Sequence, residues 1–220
     1  AKLWREYNVA HMTRTYPAGT RVDASNNNPI VAWAMVCQLV ALNFQTSDAP
    51  LILNDGMFKQ CGGCGYVQKP KSVMSGMSPD KKSIRIQVLS AQCLPKPNGV
   101  KTGETIDPYI QIDLHDVRVS ANGGKEEYHN SSFTTSCVDN NGFCPVWKDA
   151  KTELEVSNPD VAMLLFKIVD EDWDLDDMIA SCAIPVSQLR KGYRSVPLYN
   201  HNGTRSGAFQ SATLLLKIEY

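Results

Sequence analysis

KPKSVMSGMSPDKKSIRIQVLS, Lys69 to Ser90, divides the chain. Its first fifteen residues hold two prolines, one glycine and four serines, the composition of a linker. From Ser83 to Ser90 the pattern changes to apolar–polar alternation, the period-2 signature of a strand with one buried face.

Downstream of this point strand signals recur at regular spacing. They cover Ser83–Ser90, Tyr109–Leu114, His129–Ser136, Thr152–Val156, Ala162–Val169, Ile179–Ile184, Ser195–Leu198 and Ala212–Glu219, joined by Asn-, Gly-, Pro- and Asp-rich connections. Eight short strands of this kind predict an antiparallel β-sandwich over 79–220.

Upstream the pattern is mixed. Met12–Tyr16 predicts a strand that Pro17 and Gly19 end. Asn28 followed by Pro29 is a helix start, with asparagine at the N-cap and proline in the first turn. The apolar run Ile30–Leu42 then predicts a buried helix ending a few residues before Leu42. Val40–Gln45 and Cys64–Gln68 read as two further strands, with Met57-Phe58 in a short connecting element. Strand, helix, strand in this order predicts a parallel α/β arrangement over 1–78.

Net charge is -1 over 220 residues, which excludes a bulk polyelectrolyte role, and no nucleic-acid partner is expected. Residues 1–78 carry seven Lys/Arg against four Asp/Glu, and the remainder fifteen against nineteen. Ile30–Leu42 is too short to cross a bilayer, which takes about 20 residues. The first residue is alanine and no leader precedes it, as expected of part of a longer chain.

Three stretches carry candidate chemistry. In HMTRTYPAGTRVDASNNNP, His11–Pro29, Arg14 and Tyr16 are two apart and therefore share one face of the strand. An arginine beside a tyrosine at a parallel strand's C-terminal end suits a phosphorylated ring: the guanidinium holds phosphate oxygens and the phenol covers the flat apolar face. A structural arginine–carboxylate pair is the competing reading. In VDEDWDLDD, Val169–Asp177, Asp170, Asp172, Asp174 and Asp176 alternate. Clustered carboxylates repel unless a hard cation lies among them, and oxygen ligands select calcium or magnesium. A solvated acidic loop is the alternative, though Trp173 within it fits a bilayer interface better. In CGGCG, Cys61–Gly65, a zinc site would need a second ligand pair, and none stands at the usual spacing. Redox chemistry or plain buried thiols remain, buried thiols being the default. Seven cysteines in a chain of this length predict reduced thiols rather than a disulfide scaffold.

RTYPAGTRVDASNNNP, VALNFQT and GGCGYVQKP together resemble the second half of the split catalytic barrel of eukaryotic phosphoinositide-specific phospholipase C. IDPYIQI, NNGFCPVW and FKIVDEDWD resemble the C2 domain that follows that barrel, nearest to the delta-type members. The resemblance implies a partial TIM-type α/β barrel, its second (Y) half, over 1–78. An eight-stranded C2 sandwich that binds calcium and lipid follows over 79–220.

It further implies that Arg14 contacts an inositol phosphate and that Tyr16 packs on the ring, with Asp23, Ser25 and the asparagines as turn and capping residues. Calcium ligands are implied at the Ile106 carbonyl, Asp107, Asn140 (or its neighbour Asp139), Asp170 and Asp172, with the backbone of Glu171 between. The first loop, PNGVKTGET, offers Asn98 rather than a second aspartate.

The parent enzyme would hydrolyse phosphatidylinositol 4,5-bisphosphate to diacylglycerol and inositol 1,4,5-trisphosphate. Its two catalytic histidines would lie in a preceding half-barrel, so no catalytic residue is expected here and this chain alone is expected to be inactive. The expected partners are the phosphoinositide substrate, an anionic membrane surface and that other half. The expected location is cytoplasmic with peripheral recruitment. The alternative is a non-catalytic, calcium-dependent phospholipid-binding module.

Overall fold

The computed structural model describes residues 2–76, 80–97, 105–119, 126–173 and 175–220. The first-loop residues 98–104, including Asn98, most of the insertion at 120–125, and Asp174 lie outside them.

Eight strands build the sandwich. In chain order they are β3 (Lys82–Gln92), β4 (Pro108–Val119), β5 (Glu126–Thr134), β6 (Lys151–Val156), β7 (Met163–Asp170), β8 (Asp177–Pro185), β9 (Gly192–Pro197) and β10 (Thr213–Glu219). They form two four-stranded antiparallel sheets, ordered β6-β3-β10-β9 and β5-β4-β7-β8. The alternation read in the sequence is realised: Ile84, Ile86 and Val88 point inward while Ser83 and Arg85 face out. Ile110, Ile112, Leu164, Phe166, Leu214 and Leu216 meet them between the sheets. Each such side chain contributes roughly 1.5–3 kcal/mol by leaving water. Trp147 is buried in the same core, its indole N–H donating to the Ser136 carbonyl at 2.8 Å.

β7 is buried on both faces. Leu164, Phe166 and Ile168 enter the sandwich core, while Met163 and Leu165 join a second core outside it. That second core is supplied by the first segment. Ile30 and Ala34 come from α2 (Pro29–Ala34), Leu53 from α3 (Ala49–Phe58) and Val73 from α4 (Lys71–Ser75), against Val117, Val161, Met163, Leu165 and Ala183. The two segments thus share a hydrophobic layer. α3 lies so close to β8 that a Cβ on Gly56 would stand 2.3 Å from the Ala183 carbonyl oxygen.

The first segment also contains α1 (Lys2–Ala10), β1 (Arg14–Thr15) and β2 (Leu39–Val40). β1 and β2 pair in parallel, Arg14 beside Leu39 and Thr15 beside Val40. Four expectations need correction here. The helix at Ile30 ends after Ala34 because Val36 takes φ 66, outside the helical region. The third strand expected at Cys64–Gln68 does not form; Gly65 has φ 83, and this stretch has no strand to pair with. α3 occupies the region read as a connection and is capped by the Asp48 side chain, which accepts from the Leu51 N–H at 3.2 Å. The linker also holds α4. The two-stranded parallel pair is not a closed barrel.

Candidate functional site

The asparagines of the opening stretch hold it in place. Asn28 caps α2, accepting from the Ile30 N–H at 2.9 Å. Asn26 is buried; its amide donates to the Asn43 carbonyl at 3.1 Å and to Asp48 Oδ1 at 2.9 Å. Asp23 accepts from the Ser25 N–H, and Arg21 donates to Ser25 Oγ. These bonds tie the Pro17–Asn27 loop to the start of α3, leaving the end of β1 open.

Arg14 and Tyr16 lie on one face, as their spacing requires. The guanidinium carbon is 4.7 Å above the centre of the Tyr16 ring. Both side chains are exposed. Arg14 also lines a cavity of about 770 Å³ whose wall is mainly apolar, with Trp33, Leu39, Met57 and Phe58 among its sides. Gly65–Lys69 form another part of the wall. Lys69 was assigned to the linker in the sequence, yet its ammonium donates to the Val36 carbonyl, and burial lowers its pKa. Nothing in the sequence marks that inward turn.

The proposed calcium ligands come from three loops, those before β4, between β5 and β6, and between β7 and β8. Asp170 ends β7 and is buried; its Oδ1 accepts from the Asp107 N–H at 2.7 Å. The Asp107 carboxylate accepts from the Asn140 N–H, and its carbonyl from the Glu171 N–H at 3.0 Å. The Ile106 carbonyl accepts from the Asn141 N–H at 3.1 Å. Asn140 reaches its bond with φ 51. The structure therefore brings Ile106, Asp107, Asn140, Asp170 and Glu171 together, but through backbone hydrogen bonds. Glu171 is exposed and Asp172 half-buried. Among the described residues no three metal-ligating side chains stand close enough to share an ion. The donor chemistry, carboxylate and carbonyl oxygen, suits calcium.

Sequence reasoning missed three neighbours of these loops. Tyr109 donates to Asp176 Oδ2 at 2.7 Å, and burial together with that carboxylate pushes its phenol to about 12. Cys137 donates to the Asp107 carbonyl at 3.1 Å; burial, then the Glu171 carboxylate, pushes its thiol to about 12. It is a protonated structural thiol at neutral pH. Leu175 is exposed beside the fully exposed Trp173.

The CGGC stretch differs from the default reading: Cys61 and Cys64 are both exposed.

Residues 1–72 match the phosphatidylinositol-specific phospholipase C Y domain, and residues 82–200 match the C2 domain. The chain belongs to the C2 family through residues 82–200, and a phosphatidylinositol-specific phospholipase C Y segment stands ahead of that domain.

The chain is 36% identical to human 1-phosphatidylinositol 4,5-bisphosphate phosphodiesterase delta-1 over 225 residues, 96% of this chain and 28% of that protein. It is 35% identical to human inactive phospholipase C-like protein 1, over 90% of this chain and 18% of that protein. The crystal structure of PLC21 from L. pealei superposes with a TM-score of 0.78 at 29% identity, covering 98% of this chain and 27% of that one. This Y–C2 chain thus spans about a quarter of the length of the phosphodiesterases it matches. Among the described residues no helix is long and apolar enough to cross a membrane.

Proposed function

We propose that this chain is the headgroup-holding and membrane-docking part of a phosphoinositide phospholipase C that cleaves phosphatidylinositol 4,5-bisphosphate into diacylglycerol and inositol 1,4,5-trisphosphate. In this reading residues 1–78 are the second half of a TIM-type barrel completed by further chain, and 79–220 are the C2 unit. No catalytic residue is assigned here, and the 220 residues alone release no inositol phosphate. The observation that carries the reading is the Arg14 guanidinium over Tyr16 at the edge of a large, mainly apolar cavity. A bound inositol phosphate would recruit the guanidinium, freeing the Tyr16 face for the sugar ring. Arginine suits this role because its planar fork matches phosphate oxygens.

The C2 unit docks peripherally on the anionic cytoplasmic leaflet. Calcium is the implied cation: Asp107, Asp170 and Asp172 would hold it with the Ile106 carbonyl, Asn140 and the Glu171 backbone. A bound ion supplies charge neutralisation and a bridge to anionic lipid. Within this chain, Asp107 and Asp170 would give up the backbone bonds they now accept, and Trp173 would face the headgroups.

The identity to an inactive phospholipase C-like protein supports a second reading, a lipid-binding module without turnover. A graft tests the first: residues 1–220 replace the matching segment of the human delta-1 relative. Release of inositol trisphosphate from bisphosphate-containing vesicles well above the same protein lacking the segment supports a competent Y half. Release at the level of the deleted protein favours the second reading.

A further inference from the structure

Cys61 and Cys64 take no part in the function proposed above. Cys61–Gly63 forms one 3-10 turn that Cys64 caps, and the Gly63 N–H donates to the Gln60 carbonyl at 3.0 Å. The φ angles of Cys61, Gly62 and Gly63 are 53, 70 and 70, so the turn winds through the left-handed region. Glycine enters that region freely, whereas a residue with a Cβ is disfavoured there. A turn of this kind keeps residues three apart within about 7 Å, Cα to Cα. A disulfide spans roughly 4.4–6.8 Å between Cα atoms, a range that falls within the turn's limit.

The surroundings leave the turn free to adjust. A Cβ built on Gly62, Gly63 or Gly65 meets nothing within 4 Å. Residues 61–66 are all exposed, so a small reagent reaches either sulfur. The other thiols differ: Cys37 and Cys182 are buried, Cys93 and Cys137 half-buried, and Cys144, though exposed, belongs to a different loop. The turn also leads into Gly65–Lys69, which wall the Arg14 cavity.

We propose that Cys61 and Cys64 are a modification site: a dithiol that closes reversibly into an internal disulfide with a low-molecular-weight disulfide such as oxidised glutathione. One cysteine thiolate attacks a glutathione sulfur, forming a mixed disulfide and releasing one glutathione thiolate. The other thiolate attacks the protein sulfur of that mixed disulfide, releasing the second glutathione. Two protein thiols have then lost two hydrogens, and one glutathione disulfide has become two glutathione thiols. The second step is intramolecular and therefore outcompetes further capture of glutathione. The closed pair braces the wall that begins at Gly65. This proposal does not depend on the substrate assignment of Arg14.

The test uses the full 220-residue chain in glutathione buffers of rising oxidised-to-reduced ratio, with alkylation, digestion and peptide mass measurement. The peptide spanning Cys61 and Cys64 should lose two hydrogens and resist alkylation. It should do so at a roughly tenfold lower ratio than Cys144 needs to take up glutathione. Dithiothreitol should restore both thiols. In Cys61→Ser, Cys64 should instead carry one glutathione; the wild-type peptide map stands independently of how that variant folds. Separate glutathione adducts on both cysteines of the native chain would overturn the proposal. So would closure appearing only at ratios that also oxidise the buried Cys37 and Cys182.

Discussion

The Asp107 N–H donates to Oδ1 of Asp170 at 2.7 Å, binding the first candidate calcium loop to the end of β7. Asp170 is 6% exposed, so removing its acceptor strands a backbone N–H at the loop junction. Asp170→Ala should lower stability by about 1–3 kcal/mol, and Asp170→Asn by less, since an amide oxygen still accepts. Urea unfolding of the 220-residue chain measures both. Equal midpoints for wild type and Asp170→Ala would show that this bond does not hold the loops.

The same carboxylates give a lipid-binding prediction. The chain should co-sediment with phosphatidylserine vesicles in calcium and be released by chelator. Asp170→Asn with Asp172→Asn should abolish the calcium response, and Trp173→Ala should weaken binding. Equal sedimentation with and without calcium would remove calcium docking from the account.

His115 is buried on β4, its Nδ1 2.5 Å from the Tyr128 hydroxyl. Burial lowers its pKa from 6.5 to about 4, against the attraction of Asp113 and with a small repulsion from Lys167. The unfolded chain therefore binds the proton more tightly, and stability rises with pH through this window. The contribution is full above about pH 6.5, is lost as pH falls towards 4, and amounts to about 3 kcal/mol at most. His115→Gln should flatten the difference in unfolding free energy between pH 7 and pH 4.5. An unchanged slope would assign the pH dependence to other groups.

Gly56 lies buried within α3, and α3 approaches β8 so closely there that only a hydrogen fits against the Ala183 carbonyl. Gly56→Ala should cost about 1–3 kcal/mol through overpacking and loosen the first segment from the sandwich. A thermal melt reads the loss; an unshifted melt would mean that the helix can move away freely.

These cases show where the sequence is legible. The sandwich strands were readable because Ile84, Ile86 and Val88 alternate with polar neighbours, and local period decides them. MLLFKIV in β7 was readable as a strand, and its apolar run, broken by Lys167 alone, is the mark of burial on both faces. What covers its outer face, α2, α3 and α4, depends on contacts distant in sequence. The stretch at Cys64–Gln68 failed because strand propensity needs a pairing partner, and Gly65 turns the chain away. In the site, strand period placed Arg14 and Tyr16 on one face. It carried no information on Lys69 turning inward or on the backbone bonds that occupy Asp107 and Asp170.

The proposed contact between Arg14 and an inositol phosphate is the centre of the account. Its most direct measurement compares wild type and Arg14→Ala in the delta-1 graft on phosphatidylinositol 4,5-bisphosphate and on unphosphorylated phosphatidylinositol. A charge-assisted bond of about 1.5–3 kcal/mol predicts a loss of roughly 10- to 150-fold on the bisphosphate and little change on phosphatidylinositol. Equal losses on both substrates would contradict a phosphate contact at Arg14.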